Sequence, residues 1–290
     1  MPAFYYARVK AGLQCCDSGA GVAPGHGNAG AGRALGRMAI DMTAGRRLTD
    51  WAKRNVELRT LVVLALVVGG LWAFGELADE VLEGETRSLD ETILLALRTP
   101  GDLADPIGPG WVEVMGRDLT ALGGALVLSL FTAAVAGFFV IRRSWGMVAF
   151  LIASVGGGIL LSHGAKLLFD RPRPDLVPHG VEVITSSFPS GHSMMAAVTY
   201  LTLGALVARV MPGRVLKAYI LTLAVVMSAM VGVSRVYLGV HWPTDVLAGW
   251  LAGAAWAMAC FLVARLLARR GAVEPEAAPE ESGGLRGGAS

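Results

Sequence analysis

Charged side chains are scarce in this chain: Asp, Glu, Lys and Arg make up 17% of its 290 residues, against about a quarter in soluble globular domains. That scarcity argues against an ordinary cytosolic globule. Together with 54% hydrophobic residues, it also excludes a disordered polymer, whose composition is the reverse. A surplus of either sign is missing too. The formal net charge is +2, so no nucleic-acid partner is expected, since such a partner calls for a clustered basic face. Cysteine is nearly absent: Cys15 and Cys16 are adjacent, and Cys260 sits in an apolar run. Neither a disulfide framework nor a zinc site is legible in that pattern. What the chain has in quantity is long uncharged runs, and a mean hydropathy of +0.55 places it among integral membrane proteins.

Six such runs are long enough to cross a bilayer as helices. They cover residues 60–78 (interrupted by Glu76), 119–141, 144–165, 187–208, 218–234 and 246–264, each near the roughly 17–25 residues that a span needs. The expected fold is therefore all-α, a polytopic bundle of six transmembrane helices. Gly156, Gly157, Gly158, Gly249 and Gly253 lie within the runs, as suits close helix contacts in lipid.

Charge between the runs sets an orientation. Residues 1–59 carry nine Lys/Arg against four Asp/Glu, whereas 79–118 carries three Arg against ten acidic residues. Arg142 and Arg143, then Arg209, Arg214 and Lys217, then Arg265, Arg269 and Arg270 fill alternate connections. The positive-inside rule puts both termini in the cytoplasm. Segments 79–118, 166–192 and 235–245 then face the periplasm of a bacterial inner membrane. Lys166, Arg171, Arg173 and Arg235 violate the rule by lying on that outer side and call for another explanation.

The organisation expected along the chain is a membrane domain over 56–268 between two less ordered ends. Residues 1–55, rich in Gly and Ala, read as a disordered extension, or as residues ahead of a true start at Met38 or Met42. Residues 269–290 read as a disordered tail. Within 79–118, Ser88 and Glu91 fit a capping box, and Leu89, Ile93, Leu94 and Leu97 fall on one helical stripe. The pattern predicts a short amphipathic helix, ended by Thr99-Pro100-Gly101. Its stripe either lies in the headgroup boundary or packs against the spans.

The chemistry resides in three strings on the outer face. Lys166-Leu-Leu-Phe-Asp-Arg-Pro-Arg173-Pro174 follows the third run, and Pro189-Ser190-Gly191-His192 opens the fourth. Ser234-Arg235 through His241-Trp-Pro-Thr-Asp245 joins the fifth to the sixth. Lys166, Arg173 and Arg235 offer three fixed positive charges to an anionic head, Arg by bidentate hydrogen bonds and Lys as a point charge. Ser190 and Gly191 add backbone N–H groups at a helix start, and Gly191 leaves room for a phosphate to approach. Two histidines remain for bond making and breaking. His241 and Asp245, at i and i+4, fall on one face of a helix start with Pro243 in its first turn. A carboxylate on one imidazole nitrogen fixes the tautomer and frees the other nitrogen to attack phosphorus. His192 is the natural general acid for the leaving oxygen.

These strings, eleven positions in order, resemble the signature of the type 2 phosphatidic acid phosphatase superfamily: Lys-x6-Arg-Pro, Pro-Ser-Gly-His and Ser-Arg-x5-His-x3-Asp. The resemblance covers roughly residues 60–265 and implies a six-helix bundle with an outward-facing site and no metal or cofactor. By that resemblance His241 is the nucleophile forming a phosphohistidine, Asp245 orients it, and His192 protonates the leaving group and later activates water. Lys166, Arg173, Ser190, Gly191 and Arg235 would hold the phosphoryl oxygens. The implied activity is hydrolysis of a membrane lipid phosphate or diphosphate, such as undecaprenyl diphosphate, phosphatidylglycerol phosphate or phosphatidic acid. The alternatives are transfer of the phosphoryl group to a lipid or sugar acceptor, and headgroup binding without catalysis. Vanadium haloperoxidases share the strings but are soluble, and six spans argue against that branch.

Blander readings stand beside several of these residues. Arg171 and Arg173 could anchor headgroups at the membrane surface, although the motif favours a site role for Arg173. Asp170 could pair with either of them. His163 reads as a buried, hydrogen-bonded histidine and Trp242 as an interfacial aromatic. His179 and Glu182 are expected in solvent, and His26 carries no signal.

Overall fold

A computed structural model describes residues 58–175 and 186–271. The expected N-terminal extension, the tail beyond Gly271, and His26, His179 and Glu182 lie outside the described residues. Those that are described form eight helices and one small hairpin. In chain order these are α1 (Leu58–Glu83), α2 (Arg87–Ala96), β1 (Arg98–Thr99), β2 (Asp102–Pro106), α3 (Gly110–Ala121) and α4 (Ala125–Ile141). The order continues with α5 (Trp145–Leu168), α6 (Gly191–Val210), α7 (Arg214–Tyr237) and α8 (Pro243–Arg269).

Five of these helices, α1, α5, α6, α7 and α8, are long and apolar enough to cross a membrane. The uncharged run at 119–141, expected as one span, is broken. Helices α3 and α4 meet at Leu122–Gly124 with a bend of 52°. Gly123 and Gly124 cause the break: their N–H groups close back onto Thr120 and Ala121, and Gly124 turns extended to start α4. Close packing holds the bend in place, because a Cβ at Gly123 would collide with Val231 and lie 3.4 Å from the His192 ring. Tyr200 Oη donates to the freed Leu122 carbonyl at 2.7 Å, the kind of side-chain rescue that apolar surroundings require.

Helix α6 is the centre of the bundle. It packs against α4, α5, α7 and α8, and Met194, Ala196, Ala197 and Val198 are fully or almost fully buried on it. Its approach to α8 depends on small residues. A Cβ at Gly253 would stand 2.7 Å from both Ala197 Cβ and the Met194 carbonyl, and one at Gly249 would stand 2.8 Å from the Ser190 carbonyl. Backbones this close gain dispersion contacts that bulkier side chains would prevent. Helix α1 packs against α8, while Leu61, Leu64, Val68 and Leu71 on its other side are exposed.

Outside the spans, α2 forms where the amphipathic pattern predicts it, but it is docked differently. Thr86 precedes it without a side-chain cap, and Glu91 accepts from Arg87 Nε at 2.7 Å in place of the expected capping box. The leucine stripe is split. Leu94 is fully buried against Trp242, whereas Leu89 and Ile93 are exposed. The docked face runs through Asp90, Leu94 and Leu97, and a buried carboxylate sets that rotation. The stretch after it is a two-stranded hairpin, with Thr99 opposite Asp102 and Arg98 opposite Pro106. Arg98 is buried there and donates to the Tyr237 carbonyl at 2.8 Å, where the last turn of α7 leaves an acceptor open.

Candidate active site

Local backbone chemistry brings the three strings together. After α5, residues 171–174 run extended. The Arg171 carbonyl accepts the Ser187 N–H at 2.9 Å, and the Pro172 carbonyl accepts Ser187 Oγ and Trp242 Nε1, both at 3.1 Å. The second string ends in Ser190, an extended N-cap for α6, whose N–H donates to the Asp245 carbonyl at 2.9 Å. At the same helix start, a Cβ on Gly191 would lie 3.3 Å from Lys166 Cε and Nζ. The absence of a side chain therefore lets the ammonium reach the amino end of α6. The third string leaves α7 through Gly239, at φ +73°, a left-handed turn that glycine makes without strain. Trp242 then caps α8, Pro243 takes its first position, and the Asp245 side chain accepts the Trp242 N–H at 3.0 Å.

His241 ends up 1% exposed beside a fully buried Asp245. Its Nδ1 faces Asp245 Oδ2 at 3.3 Å and its Nε2 faces Arg173 Nη1 at 3.2 Å. A carboxylate can only accept and a guanidinium can only donate, so the proton belongs on Nδ1 and the lone pair on Nε2. Arg173 also donates to the Val240 carbonyl at 3.0 Å. Burial pushes the His241 imidazole down to about 4. Asp245 opposes that shift, and the Arg173 and Arg235 charges add to it. Burial likewise lowers Arg173, again opposed by Asp245.

All eight residues singled out in the sequence meet here. Arg235, Lys166 and Arg173 lie within electrostatic range of one another and of His192. His192, Gly191 and Lys166 share the wall of a cavity of about 540 Å³ that continues between α4, α5 and α6 past Leu128, Ile152, Val155 and Met195. Ser190 Oγ is fully buried and accepts from Ser193 Oγ at 2.9 Å.

Two neighbours, Thr120 and Asp90, were not singled out, and others take roles different from their expected ones. Thr120 Oγ1 accepts from Arg235 Nη1 at 3.0 Å. Arg171, readable as a surface anchor, instead points inward. It donates to Asp245 Oδ1 at 2.6 Å, Thr244 Oγ1 at 2.8 Å and Asp90 Oδ2 at 2.7 Å. Its carboxylate partners are thus Asp90 and Asp245, and Asp170 is exposed. Asp90 also accepts the Thr244 N–H at 3.0 Å and its hydroxyl at 2.6 Å. Trp242 is not interfacial: it is 2% exposed, with the Arg87 and Arg171 guanidiniums 5.3 and 5.7 Å from its ring centre. Docking of α2 and the 171–174 segment covers it. His163 is hydrogen-bonded, through Nδ1 to the Ile159 carbonyl at 2.9 Å. It is exposed rather than buried, because it lines the cavity.

The region that carries the three strings is also where this chain resembles known proteins. The model of the PAP2 superfamily matches residues 147–269, which contain all three strings. Phosphatidylglycerophosphatase B of Bacillus subtilis is 37% identical over 145 residues, which span 49% of this chain and 70% of that protein. The chain belongs to the PAP2 superfamily. Among solved structures, a similar one is the crystal structure of a transmembrane PAP2-type phosphatidylglycerolphosphate phosphatase from Bacillus subtilis. It superposes with a TM-score of 0.60 at 30% identity, over 68% of this chain and 94% of that one. An undecaprenyl-diphosphatase of Sulfolobus acidocaldarius is 33% identical over 37% of this chain and 48% of its own length. Asp90 and Thr120 lie ahead of the PAP2 match and reach its strings from α2 and α3.

Proposed function

We propose that this PAP2 chain is an integral-membrane phosphatase that hydrolyses lipid phosphates or diphosphates through a phosphohistidine on His241, without a metal ion. The observation that carries the reading is the polarity of the His241 ring, with a carboxylate on Nδ1 and a guanidinium facing Nε2. An anionic phosphoryl group drawn to Arg173 arrives at the lone pair that must attack it. In the first step Nε2 bonds to phosphorus, the bond to the leaving oxygen breaks, and His192 gives that oxygen a proton. In the second step His192 takes a proton from water, the oxygen attacks phosphorus, and the P–N bond breaks to release phosphate and neutral His241. Lys166, Arg173, Arg235 and the N–H groups at Ser190–Gly191 hold the non-bridging oxygens as their charge shifts. These cations do the electrostatic work that metal ions do elsewhere. Among the described residues, no three His, Cys, Asp or Glu side chains are grouped to hold a metal.

The cavity beside His192 and Lys166 is lined mainly by apolar side chains, which suits a hydrocarbon tail. The relatives named above act on phosphatidylglycerophosphate and undecaprenyl diphosphate, and the substrate here belongs to that class. Residues 56–268 form the membrane domain, in which α3 and α4 together make a sixth, broken crossing. Both termini are cytoplasmic, and the site faces the periplasmic side of a bacterial inner membrane. The test is phosphate release by detergent-purified protein from a panel of lipid mono- and diphosphates, with and without EDTA. Rapid quenching with a ³²P-labelled substrate is expected to trap an acid-labile phosphoprotein. EDTA-abolished activity restored by magnesium, or label in an acid-stable ester, would overturn the reading.

A further inference from the structure

Four charged or titratable side chains from three parts of the chain stand in one buried row: Asp90 on α2, Arg171 after α5, Asp245 on α8, and His241 just ahead of it. Asp90 and Asp245 are fully buried, and the Arg171 side chain between them is 12% exposed. Arg171 spends one amino group on each carboxylate, at 2.7 and 2.6 Å, and Thr244 ties Asp90 to the first turn of α8 by both N–H and hydroxyl. Burying three charges is costly unless each is paired, and a leucine face alone would have docked α2. A site role explains why the charges are kept.

We propose that Asp90 and Arg171 are positioning residues for phosphoryl transfer: through them the extramembrane helix α2 fixes the plane and the effective charge of the carboxylate that orients His241. The proposal rests on the phosphohistidine reading above. Asp245 Oδ1 is held by Arg171, and Oδ2 is thereby left for the Trp242 N–H and His241 Nδ1. The row alternates in sign, so neutralising successive members acts on His241 in opposite directions. Without the Arg171 charge, Asp245 faces the imidazole uncompensated and its protonated form is favoured. Without the Asp90 charge, Arg171 compensates Asp245 more fully and the neutral form is favoured. The other charged or titratable groups around the His241–Asp245 pair are Arg173, Arg235 at the end of α7, Lys166 on α5 and His192 on α6. Those stay unchanged in both variants.

The experiment measures kcat, KM and the acid limb of kcat/KM for an aryl phosphate with full-length protein in detergent. The substrate's own ionisation is common to all variants and cancels between them. Asp90→Asn and Arg171→Gln are each expected to lower kcat about tenfold to a hundredfold with KM little changed, as loss of alignment does. The acid limb should move to lower pH in Asp90→Asn and to higher pH in Arg171→Gln. Arg171→Lys should return the limb to its wild-type position, and Thr244→Val, which keeps every charge, should leave it there. If Arg171→Gln does not purify as folded protein, Asp90→Asn and Arg171→Lys still decide the matter. Limbs that stay put or move the same way, or unchanged kcat in both variants, would overturn the proposal. Wild-type activity retained in His241→Ala would sink the phosphohistidine reading itself, whereas an inactive His241→Ala beside unaffected network variants sinks the positioning role alone.

Discussion

Replacing Asp245 with Asn changes a single atom type, and the structure dictates which way the new amide must turn. Oδ1 meets a charged donor, Arg171 Nη1, at 2.6 Å, and Oδ2 meets the Trp242 N–H at 3.0 Å and His241 Nδ1 at 3.3 Å. Asparagine has one oxygen for the two positions. The guanidinium forms the stronger bond, so the oxygen goes to Arg171 and the NH2 group turns toward Trp242 and His241. Two consequences follow. The Trp242 N–H then confronts a donor, which costs about 1–3 kcal/mol for a buried unpaired group, and the weakened ion pair adds to that. The imidazole meanwhile faces a donor at Nδ1 as well as Arg173 at Nε2, so nothing any longer holds its proton on Nδ1, and the tautomer that leaves Nε2 free for the proposed attack is no longer enforced. A wrong tautomer of this kind lowers kcat by about 10⁴ in a serine protease triad, and a loss of about 10³–10⁴ is expected here. The assay is the rate of phosphoenzyme formation from a ³²P-labelled substrate in a quenched-flow instrument, with thermal unfolding measured on the same preparations. A kcat within tenfold of wild type, in protein that has lost stability as calculated, would refute the tautomer argument.

Three further outcomes are expected. His192→Ala should slow cleavage of an alkyl phosphate by about 10²–10⁴ but that of p-nitrophenyl phosphate far less, because a good leaving group needs no proton; equal losses would contradict the general-acid role. Gly253→Ala places a methyl group 2.7 Å from Ala197 Cβ and the Met194 carbonyl; overpacking of that kind costs about 1–3 kcal/mol, visible as a lower melting temperature in detergent, and an unchanged melt would mean that α6 and α8 can part freely. Glu85→Cys, on a background lacking Cys15, Cys16 and Cys260, should react with a membrane-impermeant thiol reagent in spheroplasts, and Arg214→Cys should react after lysis; the opposite pattern would invert the orientation.

Residue type and order in the sequence picked out side chains that the fold brings together. Lys166, Arg173, His192, His241 and Asp245 stand in strings whose spacing fits a phosphate site, and the chain folds so that these strings meet. Span positions were legible because lipid demands continuous apolar helix. Four features were not. The break at Leu122–Gly124 sits in an uncharged run, and no hydropathy pattern distinguishes a straight crossing from a bent one. The α2 register was hidden because leucine periodicity outvoted Asp90, and a lone acidic residue in an acidic loop offers no sign that it is buried. The Arg171 role depends on that carboxylate, 81 residues away in sequence, so nothing local could separate a buried ion pair from a headgroup anchor. Thr120 is silent for the same reason: its hydroxyl meets Arg235 across 115 residues.

The central place of α6 bears on how the protein is made. Its mean hydropathy of 1.5 is the lowest among the five spanning helices, whose others range from 1.8 to 2.1, and its polar side chains, Ser193, Thr199, Thr202 and Arg209, are buried. Alone in lipid, those groups would face hydrocarbon, and each would weaken partitioning from the translocon. The neighbours that shelter them include α7 and α8, which are synthesised after it. The polar groups of α6 are therefore fully sheltered only when the C-terminal helices are in place. Its amino end carries Ser190, Gly191 and His192, so the cluster that these residues form with Arg235, His241 and Asp245 is complete only once α7 and α8 have joined it.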